Sequence, residues 1–315
     1  MSLIKLQPGF KDYIWGGRRL IEDYNKNYSG EFLAESWELS CNKECPSIIV
    51  GGEDDGLTLD EYINKYGFLE KLGENCRRFQ DFPILTKFID ARKPLSIQVH
   101  PDENYATKVE HKHGKTEMWY VVDAEPGAFL YLGFEHEISR EEFVERISDN
   151  TLEEVLHKVY VHRGDVYFIE AGTLHAIGAG VLLAEIQQNS DVTYRIYDYG
   201  RVGKDGKKRE LHISKAVDVT KLRSVEKGYD FYPHIGCCEY FTVDHLVMDG
   251  AKIKEIHGNV DENSFLHILV TSGSVEIQND GTVKDFNAGD SIFLPALSGD
   301  FVIRGKADML FTYEI

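Results

Sequence analysis

The chain has 315 residues, of which 42% are hydrophobic, so a packed core is readily supplied and the composition argues against global disorder. Its formal charge is −18, from 53 acidic and 35 basic residues. This balance argues against a nucleic-acid surface, which needs clustered Lys and Arg to neutralise phosphates, but a few local cations can still hold a small anion.

The N-terminus and the cysteines restrict the cellular setting. The first 17 residues contain no apolar signal region, and no segment approaches 18 consecutive apolar residues. The five cysteines are an odd number in a chain too large to need disulfide bonds, so reduced thiols are expected. We therefore expect a cytoplasmic protein with no membrane partner.

The predicted elements of the first two thirds of the chain are mostly short strands. A helix is predicted over 58–73, with Thr58 as its N-cap, and a second over 139–160, beginning at Ser139. A shorter helix is predicted over 211–222. The strands are rich in Val, Ile, Tyr and Phe, are bounded by Gly, Pro or Asp, and cover 83–90, 95–100, 117–124, 127–134, 165–171, 180–187 and 192–200.

The last third of the chain repeats this texture. Strands are predicted at 241–249, 265–278, 290–296 and 301–305, and residues 287–303 echo residues 162–177. Both copies share a Gly-Asp turn, an apolar strand and a turn of small residues, which is typical of repeated jelly-roll β-barrels. The sequence predicts a mainly β protein with two tandem barrels and a few short helices, one domain over 1–224 and a second over 225–315.

The two copies differ in their polar residues. His175 in the first copy aligns with Asp300 in the second, and Glu117 aligns with Phe265. The same scaffold thus carries residues that bind metals once and lacks them the second time. This contrast predicts that the chemistry lies in the first barrel.

Four residues of the first barrel form a candidate metal site. Gln98 and His100 are two residues apart on a predicted strand and share one face, because strand side chains alternate. Glu117 begins another strand, and His175 follows a turn. Two imidazoles, a carboxylate and an amide oxygen make a plausible ligand set for Zn²⁺. A hydrogen-bonded core His beside a buried Gln is the structural alternative for the first pair.

Three basic residues of the first barrel suggest an anionic ligand. Lys87 is a positive charge in a strand that is otherwise expected to be buried, Lys115 lies two residues before Glu117, and Arg195 lies in a predicted strand. Around a metal pocket in an acidic protein, such cations favour a phosphate or carboxylate ligand. Surface salt bridges are the alternative for each residue taken alone.

Several motifs resemble the type I phosphomannose isomerases in their short bacterial form. The resemblance runs from about residue 7 to the C-terminus, and the motifs match in order as well as in content. They are "YIWGG", "LSIQVHPD", "GKTEMWYV" and "GTLHAIGAGVLLAEIQQNSDVTYRIYDYGR". The resemblance implies tandem cupin domains, the second without metal, and one zinc ion per chain.

The resemblance also implies roles for individual residues. The zinc ligands fall on Gln98, His100, Glu117 and His175. The active-site arginine of the family falls on Arg195, and its acidic partner on Glu185. The pocket lysines of the family fall on Lys115, implied in catalysis, and on Lys87, implied in substrate binding. Two further residues are implied in substrate binding: Ser96, a phosphate contact, and Trp15, at the pocket edge.

One departure from the family concerns the phosphate. Longer members carry a further basic residue beyond the arginine motif, in a sequence like "AGFTPK". The corresponding stretch here is "IYDYGRVGK", so Arg201 or Lys204 is expected to replace that residue.

The resemblance implies the interconversion of mannose 6-phosphate and fructose 6-phosphate through a cis-enediol. Zinc would stabilise the enediolate, Arg195 would add a cation, and Glu185, Lys115 or a zinc-bound water would be the base. A metal-dependent cupin dioxygenase and a non-catalytic sugar-phosphate-binding cupin are the alternatives. The partner would be a small sugar phosphate, and the chain would be a monomer or a homodimer.

Overall fold

Antiparallel β-sheets make up most of the molecule. The computed structural model describes residues 2–203, 206–225 and 229–315. The strands in the first two thirds are β1 (Ile4–Gln7), β2 (Gly9–Lys11), β3 (Glu35–Leu39), β4 (Ile48–Val50), β5 (Ile84–Ala91), β6 (Ile97–Val99), β7 (Glu117–Ala124), β8 (Phe129–Phe134), β9 (Leu156–Tyr160), β10 (Val166–Ile169), β11 (His175–Ile177), β12 (Val181–Gln188) and β13 (Tyr194–Tyr197).

The last third of the chain contains seven further strands among its described residues. They are β14 (Gly236–Cys237), β15 (Thr242–Met248), β16 (Glu255–Val260), β17 (Leu266–Asn279), β18 (Thr282–Asn287), β19 (Ser291–Leu294) and β20 (Gly299–Tyr313). The helices are α1 (Arg19–Glu22), α2 (Leu59–Tyr66), α3 (Phe68–Leu72), α4 (Glu103–Val109), α5 (Arg140–Asp149) and α6 (Ile213–Val219), with 3₁₀ turns at Glu74–Arg78 and Leu152–Val155.

Two sheets form the first barrel. One has the strand order β10-β7-β12-β5-β3-β2, and the other has the order β13-β6-β11-β8-β9. Buried side chains of both sheets pack together between them, for example Trp119 and Leu183 against Leu130 and Ile177. Along the larger sheet, side chains alternate between this core, which holds Trp119 and Leu183, and a separate apolar cluster on the other face, which holds Met118, Tyr120 and Ala184.

The second barrel repeats this arrangement with longer strands. The order β19-β17-β20-β15-β14 corresponds to β10-β7-β12-β5-β3. The second half of β17 pairs with β18, and the first half of β20 pairs with β16. Its core contains the apolar residues Ile268, Ile277, Ile303 and Met309. The predicted class, mainly β with tandem cupin barrels and a few short helices, is confirmed.

The strand register corrects one detail of the repeat. Ile169 pairs with Glu117 in the first barrel, whereas Leu294, the residue aligned with Ile169, pairs with Leu266. The counterpart of Glu117 is therefore Leu266 and not Phe265. Because both are apolar, the second barrel still lacks a carboxylate at this position.

The N-terminal strands join the two barrels. β1 pairs with β19 of the last third, with Ile4 opposite Phe293, and β4 pairs with β1. The sequence analysis predicted neither strand, because each has only three or four residues. The boundary near residue 224 stays a prediction, and residues 4–7 and 48–50 belong to the sheet of the last third.

One predicted helix is interrupted, and another ends earlier than expected. Gly67, with φ +98°, separates α2 from α3 within the predicted helix 58–73. Asn150, with φ +58°, ends α5, and the residues from Leu156 to Tyr160 form β9 instead of continuing the helix. Both breaks lie at residues that adopt positive φ more readily than most. In the described part of the chain, no helix has the length and apolar character to cross a membrane.

Candidate active site

A row of four side chains crosses the inner face of the larger sheet of the first barrel. Lys87 on β5 lies directly opposite Trp37 on β3 and Glu185 on β12, and Glu185 lies opposite Trp119 on β7. Directly opposed residues in neighbouring strands have their side chains within contact distance. The register therefore places an ammonium and a carboxylate side by side between two indole rings.

A second row lies on the smaller sheet. Arg195 on β13 is opposite Gln98 on β6, and Gln98 is opposite His175 on β11. The two rows meet at a cleft of about 330 Å³. The sequence-predicted residues that line it are Trp15, Lys87, Ser96, Gln98, Lys115, Glu185 and Arg195.

The other three predicted ligands lie together beside this cleft. His100, Glu117 and His175 are buried, and one ligand atom from each lies within 4.8 Å of the others. The two imidazole rings are 4.8 Å apart, and His175 Nε2 is 3.4 Å from Glu117 Oε1. The structure thus brings together side chains that are up to 75 residues apart in the sequence.

Hydrogen bonds orient both imidazoles in the same way. His100 Nδ1 is 2.8 Å from the carbonyl oxygen of Val192, and His175 Nδ1 is 2.9 Å from that of Thr173. A carbonyl only accepts, so each Nδ1 carries the proton and each Nε2 keeps its lone pair. Burial, aided by the charge of Lys115, lowers the pKa of His175 to about 4 and that of His100 well below its usual range, so both rings are neutral.

Gln98 completes this group. Its side-chain nitrogen is 3.4 Å from His175 Nε2, while its amide oxygen accepts a hydrogen bond from Ser96 Oγ at 3.3 Å. A rotation of the amide by 180° would exchange these two atoms and direct the oxygen towards the imidazole nitrogen. Ser96 is buried and in turn accepts a hydrogen bond from Arg195 Nε at 3.3 Å.

A chain of alternating charges runs from the cleft to the histidines. Lys87 Nζ is 3.6 Å from Glu35 Oε2 and 3.1 Å from Glu185 Oε1, and Lys115 Nζ is 3.5 Å from the same Glu185 oxygen. Lys115 also donates to Glu117 and lies 3.2 Å from His100 Nε2. All of these charged side chains are at most 10% exposed, so each depends on its neighbours for compensation.

The two carboxylates nearest to Lys115 differ in acidity. Burial would raise the pKa of Glu185, but the ammonium groups of Lys115 and Lys87 outweigh it and lower that pKa below its usual value. Its Oε2 also accepts a hydrogen bond from Trp119 Nε1 at 3.0 Å. Burial and the charge of Glu185 raise the pKa of Glu117 above its usual value. Glu185 therefore stays ionised, whereas neighbouring cations do not fully compensate a negative charge on Glu117.

The donor set fits a metal cation. Glu117 Oε1 is buried and has no hydrogen-bond partner in the described part of the chain. The three carboxylates Glu35, Glu117 and Glu185 exceed the two ammonium groups by one negative charge. Two neutral imidazoles with unprotonated Nε2 atoms, a buried carboxylate oxygen without a hydrogen-bond partner and an excess negative charge are what a divalent cation with nitrogen and oxygen ligands requires.

The remaining predicted residues lie at the rim. Trp15 is 2% exposed, and its ring is 5.6 Å from that of Tyr13, which also lines the cleft. Arg195 Nη1 donates to the carbonyl oxygen of Glu210 at 3.0 Å. Arg195 therefore spans from Ser96, beside the candidate ligand Gln98, to the segment around residue 210.

Arg209 was not singled out by the sequence analysis, yet it lines the cleft. The sequence analysis instead expected Arg201 or Lys204 to supply the basic residue beyond the arginine motif. Arg201 does not line the cleft and binds Asp198 and the carbonyl oxygen of Pro94, and Lys204 lies outside the described residues. A basic run, "KKRELH", was the available sequence signal.

Two jelly-roll barrels and a buried His-Glu-His cluster in one of them define this chain as a two-barrel cupin protein. Models of two known families match it. One, described as phosphomannose isomerase type I, catalytic domain, matches residues 3–129. The other, described as mannose-6-phosphate isomerase, cupin domain, matches residues 233–314.

Full-length relatives agree with these models. The chain is 34% identical to the probable mannose-6-phosphate isomerase GmuF of Bacillus subtilis, over 98% of both chains. The crystal structure of mannose 6-phosphate isomerase from Bacillus subtilis superposes with a TM-score of 0.90, at 34% identity, over 100% of both chains. A mannose 6-phosphate isomerase bound with zinc and yttrium shares the fold, with a TM-score of 0.78 at 18% identity over 100% of both chains.

The chain belongs to the type I phosphomannose isomerase family. Members of this family are aldose–ketose isomerases, so the cleft of the first barrel is the candidate active site of an enzyme.

Proposed function

We propose that this enzyme interconverts mannose 6-phosphate and fructose 6-phosphate, with one zinc ion held by Gln98, His100, Glu117 and His175. The observation that carries the proposal is the buried His-Glu-His cluster beside a cleft that is lined by Lys87, Lys115 and Arg195. The mannose-6-phosphate isomerases GmuF and ManA of Bacillus subtilis, at 34% and 33% identity over 98% of this chain, support the substrate.

The choice of zinc is supported by the ligand chemistry. Zinc binds imidazole nitrogen and carboxylate oxygen and leaves positions open at catalytic sites. When bound, zinc would polarise the oxygens on C1 and C2 of the open-chain sugar and stabilise negative charge on the enediolate. The related fold that was crystallised with zinc and yttrium is consistent with a metal at such a site.

The reaction moves one proton between two carbons. The proton on C2 leaves to a base, a cis-enediol forms, and a proton is delivered to C1 while the proton on O2 passes to O1. The guanidinium of Arg195, next to Gln98 and Ser96, would stabilise negative charge on the sugar oxygens in this step.

Lys115 is better placed than Glu185 to move the carbon-bound proton. Lys115 Nζ lies beside His100 and lines the cleft. Both Glu185 oxygens accept hydrogen bonds, from Lys87 and Trp119, and the charges of Lys115 and Lys87 keep the pKa of this carboxyl below its usual value, which makes it a weak base. Lys115 would carry the proton between C2 and C1, and Glu185, 3.5 Å away, would hold its Nζ in position.

The last part of the proposal concerns the residues that would contact the substrate. Ser96, Lys87 and Trp15 would contact the sugar phosphate, which is the small-molecule partner. A cytoplasmic location and a monomeric or homodimeric state stay predictions.

The decisive experiment combines metal analysis with an isomerase assay. The purified protein should contain about one zinc per chain and convert mannose 6-phosphate to fructose 6-phosphate in a coupled assay. A chelator should remove both the metal and the activity, and zinc should restore them. Turnover that requires iron and oxygen would favour the dioxygenase alternative, and sugar-phosphate binding without turnover would favour the non-catalytic alternative.

A further inference from the structure

Trp119 contacts both halves of the candidate active site. It is fully buried on β7, and its ring and that of His175 are T-shaped, with their centroids 5.3 Å apart. Its Nε1 donates to Glu185 Oε2 at 3.0 Å. One side chain thus contacts a candidate metal ligand and the carboxylate that lies 3.5 Å from the proposed proton carrier, Lys115.

Packing alone does not require an indole at this position. Burying an indole N–H costs free energy unless it finds an acceptor, and an aliphatic side chain fills a core without that cost. In the second barrel, Ile268 takes the place of Trp119, two residues after the counterpart of Glu117. Ile268 lies opposite Phe311, whereas Trp119 lies opposite Glu185. The N–H and the carboxylate thus occur together in the barrel with the His-Glu-His cluster, and both are replaced by apolar groups in the other.

The indole N–H fixes how the Glu185 carboxylate is turned. Both ammonium groups approach the same oxygen, Oε1, with Lys87 at 3.1 Å and Lys115 at 3.5 Å. An ammonium is a compact charge with three rotatable donors, so it does not select one orientation of a carboxylate. The single N–H of Trp119 has a fixed direction in the plane of its ring and holds Oε2, which leaves Oε1 towards the two lysines.

Lys115 depends on this oxygen for its position. Its ammonium contacts Glu185 on one side and the candidate ligands Glu117 and His100 on the other, with Nζ 3.2 Å from His100 Nε2. If the Glu185 carboxylate turned, the attraction on one side of Lys115 would weaken, and Nζ would move out of reach of the sugar carbons. A displacement of about 1 Å in a catalytic group can lower a rate by about 10²-fold.

We propose that Trp119 is a positioning residue for the isomerase reaction, which holds the Glu185 carboxylate so that Lys115 stays beside the metal ligands. This assignment rests on the proposed function. Trp119 does not line the cleft, so it acts through Glu185 and does not touch the substrate. Its removal therefore lowers kcat and leaves KM unchanged, because substrate binding loses no contact.

The kinetic test compares Trp119→Phe with Tyr120→Phe. Tyr120 is the next residue on β7, is 2% exposed, and donates to a carboxylate of its own, Asp308 Oδ2, at 3.1 Å. For Trp119→Phe we expect kcat for mannose 6-phosphate about tenfold lower, a loss that one hydrogen bond to a charged group supports. Its KM should stay within about twofold, and its zinc content should equal that of the unaltered protein. Tyr120→Phe loses a comparable bond and should leave both kcat and KM within about twofold.

A spectroscopic measurement tests the same coupling without turnover. In a nitrogen–proton correlation spectrum, the indole resonance of Trp119 is identified by its absence from the Trp119 variant. Lys115→Met should move this resonance, because both side chains contact Glu185. Lys26→Met is the control, since it removes another buried lysine that is paired with a carboxylate elsewhere, and it should leave the resonance in place.

Replacing the indole of Trp119 by benzothiophene serves if Trp119→Phe does not fold, because sulfur then stands in place of the N–H and the ring keeps its shape. An unchanged kcat in the folded Trp119 variant, or a Trp119 resonance that does not respond to Lys115→Met, would overturn the assignment. An equal loss of kcat in Tyr120→Phe would also overturn it, because any lost bond in β7 would then have the same effect. An inactive unaltered protein whose Trp119 resonance responds to Lys115→Met would count against the proposed function alone.

Discussion

Lys87 and Glu185 are direct cross-strand partners on β5 and β12, and their side chains form a buried ion pair at 3.1 Å. A buried ion pair stabilises a structure only when both partners are present and further hydrogen bonds satisfy them. Here Trp119 donates to the carboxylate, and a second ammonium, Lys115, lies 3.5 Å away. The pair thus connects the sheet register to the position of the proposed acid–base lysine.

Replacing Glu185 with Gln tests this connection. The amide keeps an acceptor for Trp119 but removes the charge that compensates Lys87 and Lys115, so we expect a loss of about 3–5 kcal/mol in the free energy of unfolding. Because Glu185 would orient the base, kcat should fall by about 10²-fold, less than for Lys115→Ala. Urea denaturation and steady-state kinetics measure both effects. A larger loss of kcat for Glu185→Gln than for Lys115→Ala would make Glu185 the base.

The metal site is tested by His175→Ala. Removing one of two converging imidazoles should eliminate bound zinc, measured by mass spectrometry of the purified protein, together with isomerase activity. His267→Ala is the matched control, because His267 is equally buried but lies in the second barrel, bonded to Ser291. The control should lose stability and keep its zinc. A His175→Ala variant with full zinc and activity would refute the ligand assignment.

The pH dependence of stability should report on His113. Hydrogen bonding to Asp81 raises its pKa most; Glu103 adds to this, against the opposing effect of burial, and the pKa reaches about 9. A histidine with a raised pKa in the folded state stabilises fully below about pH 6.5, its unfolded value, and loses that contribution as pH rises to 9.

The variant His113→Gln should therefore flatten the change in unfolding free energy between pH 6.5 and 9. Urea unfolding at several pH values gives the slope. His162→Gln is a suitable control, because this side chain is 83% exposed. If the unfolding free energy of His113→Gln changes with pH as steeply as that of the unaltered protein, His113 does not contribute to the pH dependence.

The contact between the barrels is tested by Lys26→Met. Lys26 Nζ is 2.6 Å from Glu38 Oε1 and donates to the carbonyl oxygen of Gly289, next to the second barrel, and both side chains are buried. The variant leaves Glu38 uncompensated and should cost about 3–5 kcal/mol of unfolding free energy.

Two further variants make this prediction specific. Lys26→Met combined with Glu38→Gln should recover part of the loss, because no buried charge is then left unpaired. Arg18→Met, which breaks an exposed pair with Glu22, should cost no more than about 1 kcal/mol. Equal losses of unfolding free energy for Lys26→Met and Arg18→Met in denaturant titrations would show that the buried pair stabilises the protein no more than the exposed pair does.

Much of the fold was readable from the sequence, and the failures have local causes. Segments rich in Val, Ile, Tyr and Phe and bounded by Gly, Pro or Asp predicted most strands from 83 to 200 and after 241. β1 and β4 are short, and β19, the strand that pairs with β1 on the side away from β4, lies more than 200 residues away. The helix predicted through Asn150 ended there because one residue adopted a left-handed conformation.

The sequence by itself determined the chemical types available to the site. Gln98 and His100 lie two residues apart in a predicted strand, and the second barrel has an apolar residue where the first has Glu117, so the candidate ligands and their barrel were predictable from the sequence. Only the tertiary structure decided which charges meet. Strand register placed Lys87 against Glu185, and contacts made after chain folding aimed Arg209, and not Arg201, into the cleft. Charge pairing depends on distances of a few ångströms between residues remote in the chain, and local sequence patterns carry no such distances.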